Sequence, residues 1–224
     1  MRRALLSVYD KTDVAAFAKE LHRLDFEILA SSGTASLLAE DGIPVVALEE
    51  LTGFAEMLGH RVVTLHPAVH GGILARRDVP EDVADLETHG IAPIDLVCVN
   101  LYPFEQTVGR LDVEWDDAID QIDIGGPALL RAAAKNHAHV IPVCRPVDYD
   151  LVLQELRDGD DVSVETRRSL ALTAFTRTAS YDAAVAGWLG RGQGFPETFV
   201  PVFDRALEVA YGEKIGRASC RERV

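Results

Sequence analysis

Strand-like and helix-like segments alternate over the first 48 residues, and this alternation constrains the fold more than any other feature of the sequence. Three short apolar segments, at residues 3–8, 26–30 and 45–48, predict strands. Two segments between them, 12–24 and 35–40, predict helices, and the first has apolar residues at helical spacing. Strands separated by helices are typical of a parallel sheet with helices on its faces. The pattern therefore predicts an α/β fold.

The rest of the chain continues this pattern. Apolar runs at 95–100 and 139–143 predict two more strands, and residues 61–65 predict another, ahead of a helix or turn that begins at Pro67. Further helices are predicted at 125–135, 147–156 and 164–189. The last of these is long and apolar enough to pack on the body of the domain or against a partner subunit.

Composition narrows the possible classes of protein. The 224 residues are 48% apolar and 26% charged, which suits a compact domain with a substantial core. There is no apolar run of about 18 residues and no secretory signal at the start, so we expect a cytoplasmic protein without membrane association. The net charge of −14 argues against nucleic-acid binding, which needs clustered Lys and Arg. A local basic pocket can still hold a small anion.

The three cysteines are widely spaced and show neither the spacing of a zinc site nor that of a disulfide framework. Cys98 and Cys144 lie in apolar runs and are expected to be buried and inert, whereas Cys220 lies near the C-terminus. His66 and His70 are four residues apart, which allows metal ligation if they share a helix face. Pro67 and the lack of an intervening glutamate favour local hydrogen bonding instead, so no metal site is predicted.

Three loops, at residues 7–12, 31–34 and 123–126, follow strands or precede helices, which is where ligands bind in α/β sheets. The second contains two serines, a glycine and a threonine before a helix. It fits a phosphate-binding loop, although such a sequence before a helix is more commonly an ordinary helix cap with a tight turn. Lys11 adds a positive charge that could reach the same anion.

The third loop leaves two alternatives open. Asp123 precedes two glycines and a helix, so its carboxylate could act as a base beside free backbone amides, or could cap the helix. Lys135 follows on that helix among small residues. It could be a buried ammonium or belong to an exposed face, and periodicity does not distinguish the two.

Taken together, these motifs resemble the IMP cyclohydrolase domain of the bifunctional purine-biosynthesis enzymes, which combine AICAR transformylase and IMP cyclohydrolase. The resemblance extends from residue 1 to about residue 213. The segments that carry it occur in family order at residues 7–12, 31–34, 51–54, 64–67, 100–104, 121–126 and 130–137.

The resemblance implies a methylglyoxal-synthase-like, three-layer α/β fold with a mostly parallel sheet and additional C-terminal helices. It implies a nucleotide-binding core at residues 1–145 and, at 146–213, a helical extension with the start of a linker to a transformylase domain that this chain lacks. The implied reaction is the last step of de novo purine biosynthesis, closure of 5-formamidoimidazole-4-carboxamide ribotide to IMP with release of water. The full-length protein would also be an AICAR formyltransferase. No metal or organic cofactor is implied, and the family suggests a homodimer.

The resemblance also implies site residues. Asp123 would take the carboxamide proton, while Lys135 and Tyr102 would stabilise the tetrahedral oxygen and help water leave. Because nucleophile and electrophile belong to one molecule, holding the reactive conformer should supply much of the rate. The nucleotide would be held by Ser7, Lys11, Thr12, Ser31, Gly33, Thr34, Arg61, Thr64, Asn100, Ile124 and Gly125.

Two departures from the family stand out. The family motif Arg-Val-Lys-Thr is replaced here by a segment with Val63 at the lysine position. Either Lys135 and Tyr102 suffice, another cation such as Arg61 takes over, or activity is reduced. At the C-terminus, residues 214–224 resemble a translated sequencing adapter and are predicted to be a non-native tail, which we exclude from the fold prediction.

Two other functions occur on the fold that the resemblance implies. One is that of the allosteric nucleotide-binding domain of carbamoyl phosphate synthetase, and the other is methylglyoxal synthase, a lyase. A phosphate loop at residues 31–34 suits all three functions. The motifs at 100–104 and 121–126 favour the cyclohydrolase.

Overall fold

The computed structural model describes residues 1–59, 61–109, 113–159, 161–205 and 220–222. Its central sheet consists of the strands β1 (Arg2–Ser7), β2 (Phe26–Ala30), β3 (Val46–Ala47), β4 (Leu96–Val99) and β5 (Ile141–Val143). All neighbouring strands are parallel, in the order β3-β2-β1-β4-β5. The strand order changes direction between β1 and β4, which is where open α/β sheets form a ligand-binding crevice.

Helices connect these strands and cover both faces of the sheet. They are α1 (Val14–Arg23), α2 (Ser32–Glu40), α3 (Leu48–Thr52), α4 (Pro67–Leu74), α5 (Pro80–Thr88), α6 (Phe104–Val108), α7 (Trp115–Asp120), α8 (Gly125–Lys135), α9 (Tyr149–Asp158) and α10 (Val164–Leu189), with a 3₁₀ turn at Pro146–Asp148. One buried cluster joins α1, α2 and α9 to the sheet, and a second joins α3, α4 and α8 to the opposite face. The predicted three-layer α/β fold is confirmed.

Strand β1 shows why the sheet lies at the centre. Leu6 packs with Phe17 in the first cluster, whereas Leu5 packs with Leu129 in the second. Successive side chains of a strand point to opposite faces, so a strand covered on both sides must be apolar throughout. This accounts for the continuous apolar runs in the sequence.

The C-terminal helices extend this core. Helix α10 packs along α8, β5 and α6. Where it meets α8, its buried face includes the small residues Ala171 and Ala174, which pack with Leu130 and Ala134 and allow the two helices to approach closely. Beyond it, β6 (Phe203–Arg205) pairs antiparallel with β7 (Cys220–Glu222), which falls in the predicted non-native tail. The other residues of that tail lie outside the described part of the chain.

The structure corrects some predicted elements. Residues 61–65 are not a strand: one isolated bridge joins Met57 to Val62, and the chain then turns into α4. Helix α2 begins at Ser32, so most of the predicted 31–34 loop forms its first turn. The helices α3, α5, α6 and α7 were not predicted, and α3, α6 and α7 have only five or six residues each, too few to show a helical periodicity.

Cys98 and Cys144 are buried and unpaired, as predicted. Burial raises the pKa of Cys98 to about 12 and that of Cys144 to about 11, so both remain inert thiols at neutral pH. His66 behaves as a local capping residue, because its Nδ1 accepts a hydrogen bond from the amide of Ala68 at the start of α4. No helix in the described part of the chain is long and apolar enough to span a membrane.

Candidate functional site

A cleft of about 720 Å³ lies at the carboxyl ends of β1, β2 and β4, beside the point where the strand order changes direction. It is bounded by the loops after these strands, by the segment that precedes α4 and by the loop that leads into α8. The predicted site residues that line it are Ser7, Lys11, Ser31, Gly33, Thr34, Arg61, Thr64, Asn100, Tyr102, Asp123, Ile124 and Gly125. Segments distant in sequence therefore converge on one cleft.

One end of the cleft contains a half-buried cation. The ammonium of Lys11 donates a 2.8 Å hydrogen bond to the hydroxyl of Thr34 and another to the carbonyl of Val8. Burial lowers the pKa of Lys11, since desolvation disfavours the ammonium, and a bound anion would oppose that effect. Thr34 is itself almost fully buried, so its hydroxyl holds the lysine in one place.

The start of α2 lies at the same end. The carbonyl of Ser31 accepts hydrogen bonds from the amides of Thr34 and Ala35, at 2.8 and 2.7 Å. The amides of Ser32 and Gly33 precede these first hydrogen-bonded amides, and first-turn amides of a helix are free to bind an anion. There is open space beside the Cα atom of Gly33, so a ligand can approach the backbone. The hydroxyls of Ser7 and Ser31, 2.9 Å apart, complete this end.

Asn100 organises the wall between the two ends. Its side-chain oxygen accepts hydrogen bonds from the amides of Tyr9 and Asp10 at 2.7 and 3.0 Å, and its side-chain nitrogen donates to the carbonyl of Asp10 at 2.9 Å. The ring of Tyr9 then packs against that of Tyr102 with a centroid distance of 4.9 Å. Asn100 therefore shapes the cleft by holding a loop, in addition to lining it.

The other end of the cleft is built around the carboxylate of Asp123. Its Oδ1 accepts a 2.8 Å hydrogen bond from the amide of Gly126, and the amide of Tyr102 also donates to this carboxylate. Burial nevertheless raises the pKa of Asp123, because the two hydrogen bonds compensate only in part for desolvation. The carboxylate thus both caps the start of α8 and faces the cleft, so the two interpretations of the sequence are compatible.

Tyr102 lies beside this carboxylate. Burial raises the pKa of its phenol, and the neighbouring negative charge of Asp123 raises it further, so the hydroxyl remains a proton donor at neutral pH. The start of α8 supplies additional donors. Gly125 approaches Thr64 so closely that a Cβ atom on it would lie 2.7 Å from the threonine hydroxyl. A glycine is therefore required to bring this helix terminus into the cleft.

Val63, at the position where the resemblance implies a lysine, lines the cleft and supplies no charge. Arg61, two residues earlier, also lines the cleft, and its guanidinium forms an ion pair with Asp120 at the rim. Both partners of that pair are more than half exposed, with side-chain exposures of 63% and 58%. The rim therefore retains a cation near Val63, but one already engaged by a carboxylate.

The structure does not bring two predicted site residues to the cleft. Lys135 is exposed at the far end of α8, ten residues or about 15 Å from Gly125, so it does not surround the base within a single chain. Thr12 is exposed and turned away, since its amide and hydroxyl both bind the carboxylate of Asp10, at 2.9 and 2.6 Å. The motifs were identified from residue type and spacing, which do not show how far α8 carries Lys135 or which neighbour Thr12 binds.

Two residues that shape the cleft, Tyr9 and Tyr181, were not identified as site residues from the sequence. Tyr9 lies inside the 7–12 segment, so the motif itself marked it. Tyr181 lies in α10, and its hydroxyl accepts a 2.7 Å hydrogen bond from the amide of Asp123. The two residues are 58 positions apart, and no local pattern links them.

Two protein-family models match this chain. The MGS-like domain family matches residues 13–128, and the chain belongs to this family. The AICARFT/IMPCHase bienzyme family matches residues 133–218, so the helical extension carries a second family signature. That match reaches into the segment 214–224.

The curated relatives are more specific. The bifunctional purine biosynthesis protein PurH of Persephonella marina is 51% identical over 216 residues, which cover 95% of this chain and 42% of the relative. PurH of Bacillus subtilis is 46% identical over 215 residues, with the same coverage. This chain thus spans less than half the length of these relatives. A solved structure, the crystal structure of ForH, is 40% identical with a TM-score of 0.74, and the match covers 84% of this chain and 99% of that one.

Proposed function

We propose that this chain is an IMP cyclohydrolase, which closes 5-formamidoimidazole-4-carboxamide ribotide to IMP with release of water. The observation that carries the proposal is the pairing, in one cleft, of an anion-binding end with a buried carboxylate beside a phenol and a helix N-terminus. The similarity of this chain to the bifunctional purine biosynthesis proteins PurH supports the same conclusion.

The ribotide phosphate belongs at the end that contains Lys11, Thr34 and the first turn of α2. The ammonium and the first-turn amides are the donors that a phosphate dianion requires, and the positive end of the helix adds to the attraction. The base then extends past Asn100 towards Tyr102 and Asp123. A cleft of about 720 Å³ is large enough for one nucleotide.

Ring closure joins the carboxamide nitrogen to the formyl carbon. The Asp123 carboxylate accepts a proton from the carboxamide as the C–N bond forms, and the formyl oxygen becomes a tetrahedral alkoxide or hydroxyl. The Tyr102 hydroxyl and the amides at the start of α8 stabilise that oxygen. This oxygen then receives two protons, the one that Asp123 took from the carboxamide nitrogen and the one that the formylamino nitrogen loses. The C–O bond breaks as water leaves, and the ring C=N bond forms to the former formylamino nitrogen.

Val63 leaves this oxyanion without the lysine of the family motif. Within one chain the remaining donors are Tyr102, the α8 amides and the rim cation Arg61, since Lys135 lies elsewhere. We infer that the cleft is adapted to valine, because the other groups of both ends are retained. Holding the ribotide in the reactive conformer supplies the remainder of the catalysis.

The proposal extends to the environment of the protein. We infer a homodimer in the cytoplasm, as expected for the family, and exposed apolar residues of α10 such as Leu172 and Phe175 are suited to a subunit contact. The PurH relatives are bifunctional and more than twice as long. We therefore assign AICAR formyltransferase activity to the full-length protein and not to these 224 residues.

The test is to incubate the purified protein with the formylated ribotide and to follow IMP by its absorbance. Enzyme-dependent production of IMP is the expected result. Dihydroxyacetone phosphate in place of the ribotide tests for a methylglyoxal synthase. Binding of IMP without turnover of either substrate would instead reject the enzyme and favour an allosteric nucleotide-binding module.

A further inference from the structure

Tyr181 connects the helical extension to the carboxylate that faces the cleft. It lies near the middle of α10, and its hydroxyl accepts a 2.7 Å hydrogen bond from the backbone amide of Asp123. The same hydroxyl donates, at 3.4 Å, to the carbonyl of Gln121. One phenol thus binds the backbone on both sides of Ile122, in the turn that presents Asp123.

The phenol is itself fixed in position. Tyr181 is only 9% exposed, and its ring lies edge-on to Phe104 of α6 at a centroid distance of 6.1 Å. Phe104 in turn packs edge-on against Trp188 at 5.7 Å, about two helical turns further along α10. Burial raises the pKa of Tyr181 to about 12, so its hydroxyl remains protonated and can donate to Gln121.

Asp123 is therefore held from two directions. Its carboxylate accepts hydrogen bonds from the amides of Gly126 and Tyr102, which belong to the walls of the cleft. Its own amide is held by α10, which lies beyond residues 13–128, the part matched by the MGS-like domain family. The core supplies the carboxylate, and the extension fixes the backbone from which it projects.

We propose that Tyr181 is a positioning residue for Asp123, and that α10 thereby completes the reacting end of the cleft. This inference rests on the proposed cyclohydrolase function. Proton transfer from the carboxamide requires the carboxylate to be placed within a few tenths of an ångström, and small misplacements of a catalytic group lower rates strongly. Phosphate anchoring at Lys11 and Thr34 does not depend on this helix.

The test compares Tyr181→Phe with Tyr149→Phe. Phenylalanine preserves ring packing in both and removes only the hydroxyl. Tyr149 is a matched control because it is also buried, stacks on Phe17 and accepts a hydrogen bond from the thiol of Cys98, on the face of the sheet covered by α1 and α9. Circular dichroism and thermal unfolding establish that both variants are folded before their kinetics are compared.

We expect Tyr181→Phe to lower kcat by about tenfold or more with KM changed less than threefold, and Tyr149→Phe to change neither by more than about twofold. The acid limb of the plot of kcat against pH should also move to lower pH in Tyr181→Phe. A loosened turn exposes the Asp123 carboxylate to water, which lowers its pKa. Among the described residues, the titratable groups that interact with this carboxylate include Tyr102 and Tyr181 itself, and the Arg61 and Asp120 pair lines the same cleft. Unchanged kcat and an unchanged acid limb in Tyr181→Phe would overturn the proposal.

A measurement without turnover separates this inference from the function on which it rests. The carboxyl carbon of Asp123, labelled with ¹³C, is titrated by NMR in the unmodified protein, Tyr181→Phe and Tyr149→Phe. A lower pKa of Asp123 in Tyr181→Phe alone supports positioning by the phenol, and equal values in all three proteins refute it. If the unmodified protein forms no IMP, the proposed function fails, and the titration still decides the role of Tyr181.

Discussion

The ammonium of Lys11 donates a 2.8 Å hydrogen bond to the hydroxyl of Thr34, and this contact joins the loop after β1 to the first turn of α2. Two strand-to-helix connections, whose contacting residues are 23 positions apart, thereby form one positively charged end of the cleft. This local positive charge is needed because the chain as a whole carries a net charge of −14 and would otherwise repel a phosphate.

Removing either partner of this contact should weaken nucleotide binding more than it slows the bound reaction. A hydrogen bond to a charged group contributes about 1.5–3 kcal/mol, so Lys11→Ala and Thr34→Ala should each raise the Kd for IMP roughly tenfold to a hundredfold. Calorimetric titration with IMP measures this. Lys19→Ala is the control, because Lys19 is exposed on α1. Affinities equal to that of the control would remove the phosphate site.

Asp123→Asn should preserve nucleotide binding and lose most of the cyclisation, because the amide retains the shape of the side chain but cannot accept the proton. Removal of a positioned general base lowers rates by about 10² to 10⁴. Steady-state formation of IMP gives kcat, and Asp117→Asn, on the exposed side of α7, serves as the control. Near-normal turnover in Asp123→Asn would reject its role as the base.

The pH dependence of the reaction should report on the same group. Burial raises the pKa of Asp123 above its ordinary value of 3.8, and only the ionised carboxylate can act as a base. Single-turnover rates should therefore fall as pH decreases, with a midpoint above that ordinary value. A midpoint at or below it would show that the carboxylate is not desolvated in the working enzyme.

Asp123→Asn should also stabilise the fold at neutral pH. Because the folded-state pKa of Asp123 lies above its unfolded value, its contribution to stability is greatest below the unfolded pKa and is lost as pH rises through the folded pKa. Asparagine does not ionise and escapes this loss. Denaturant unfolding measures the free energy of unfolding of both proteins at pH 7 and at about pH 3. We expect Asp123→Asn to have the higher free energy of unfolding at pH 7 only. If the two proteins differed in free energy of unfolding by the same amount at both pH values, this dependence on the ionisation of Asp123 would be contradicted.

Val63→Lys tests whether the cleft has adapted to the loss of the family lysine. An added ammonium would lie near the Arg61 guanidinium, and the rim carboxylate of Asp120 is already paired, so we expect slower cyclisation. Single-turnover rates of the two proteins decide the question. A gain of about tenfold, equivalent to roughly 1.4 kcal/mol of barrier, would reject adaptation and indicate a missing oxyanion donor.

The sequence determined much of the fold because parallel sheets leave a strong local signature. The segments around β1, β2, β4 and β5 each contain an uninterrupted apolar run, such as residues 4–6 and 28–30, since both faces of the sheet are covered. The segment 61–65 was also predicted to be a strand, but in the structure it forms one isolated bridge, between Val62 and Met57, and pairs with no strand of the sheet. Whether an apolar segment finds a partner strand is a nonlocal property.

The motifs likewise placed most of the candidate site, because the loops after parallel strands meet at one edge of a sheet. They did not reveal that Lys135 lies at the far end of α8, or that Thr12 binds the carboxylate of Asp10, so both residues were assigned to the cleft and lie outside it. A sequence motif does not encode how far a helix carries a residue from the cleft, or which neighbour a loop side chain binds.

By itself, the sequence determined the α/β class, the parallel sheet and the residue types that meet at the cleft. Only the tertiary structure decided that Asn100 is occupied in holding a loop, that Gly125 must approach Thr64, and that Tyr181 holds the backbone of Asp123. The physical reason is one of range. Hydrophobic periodicity and capping act over a few residues and are written in the local sequence. The geometry of a catalytic group depends on contacts between segments that packing brings together, here across 58 residues.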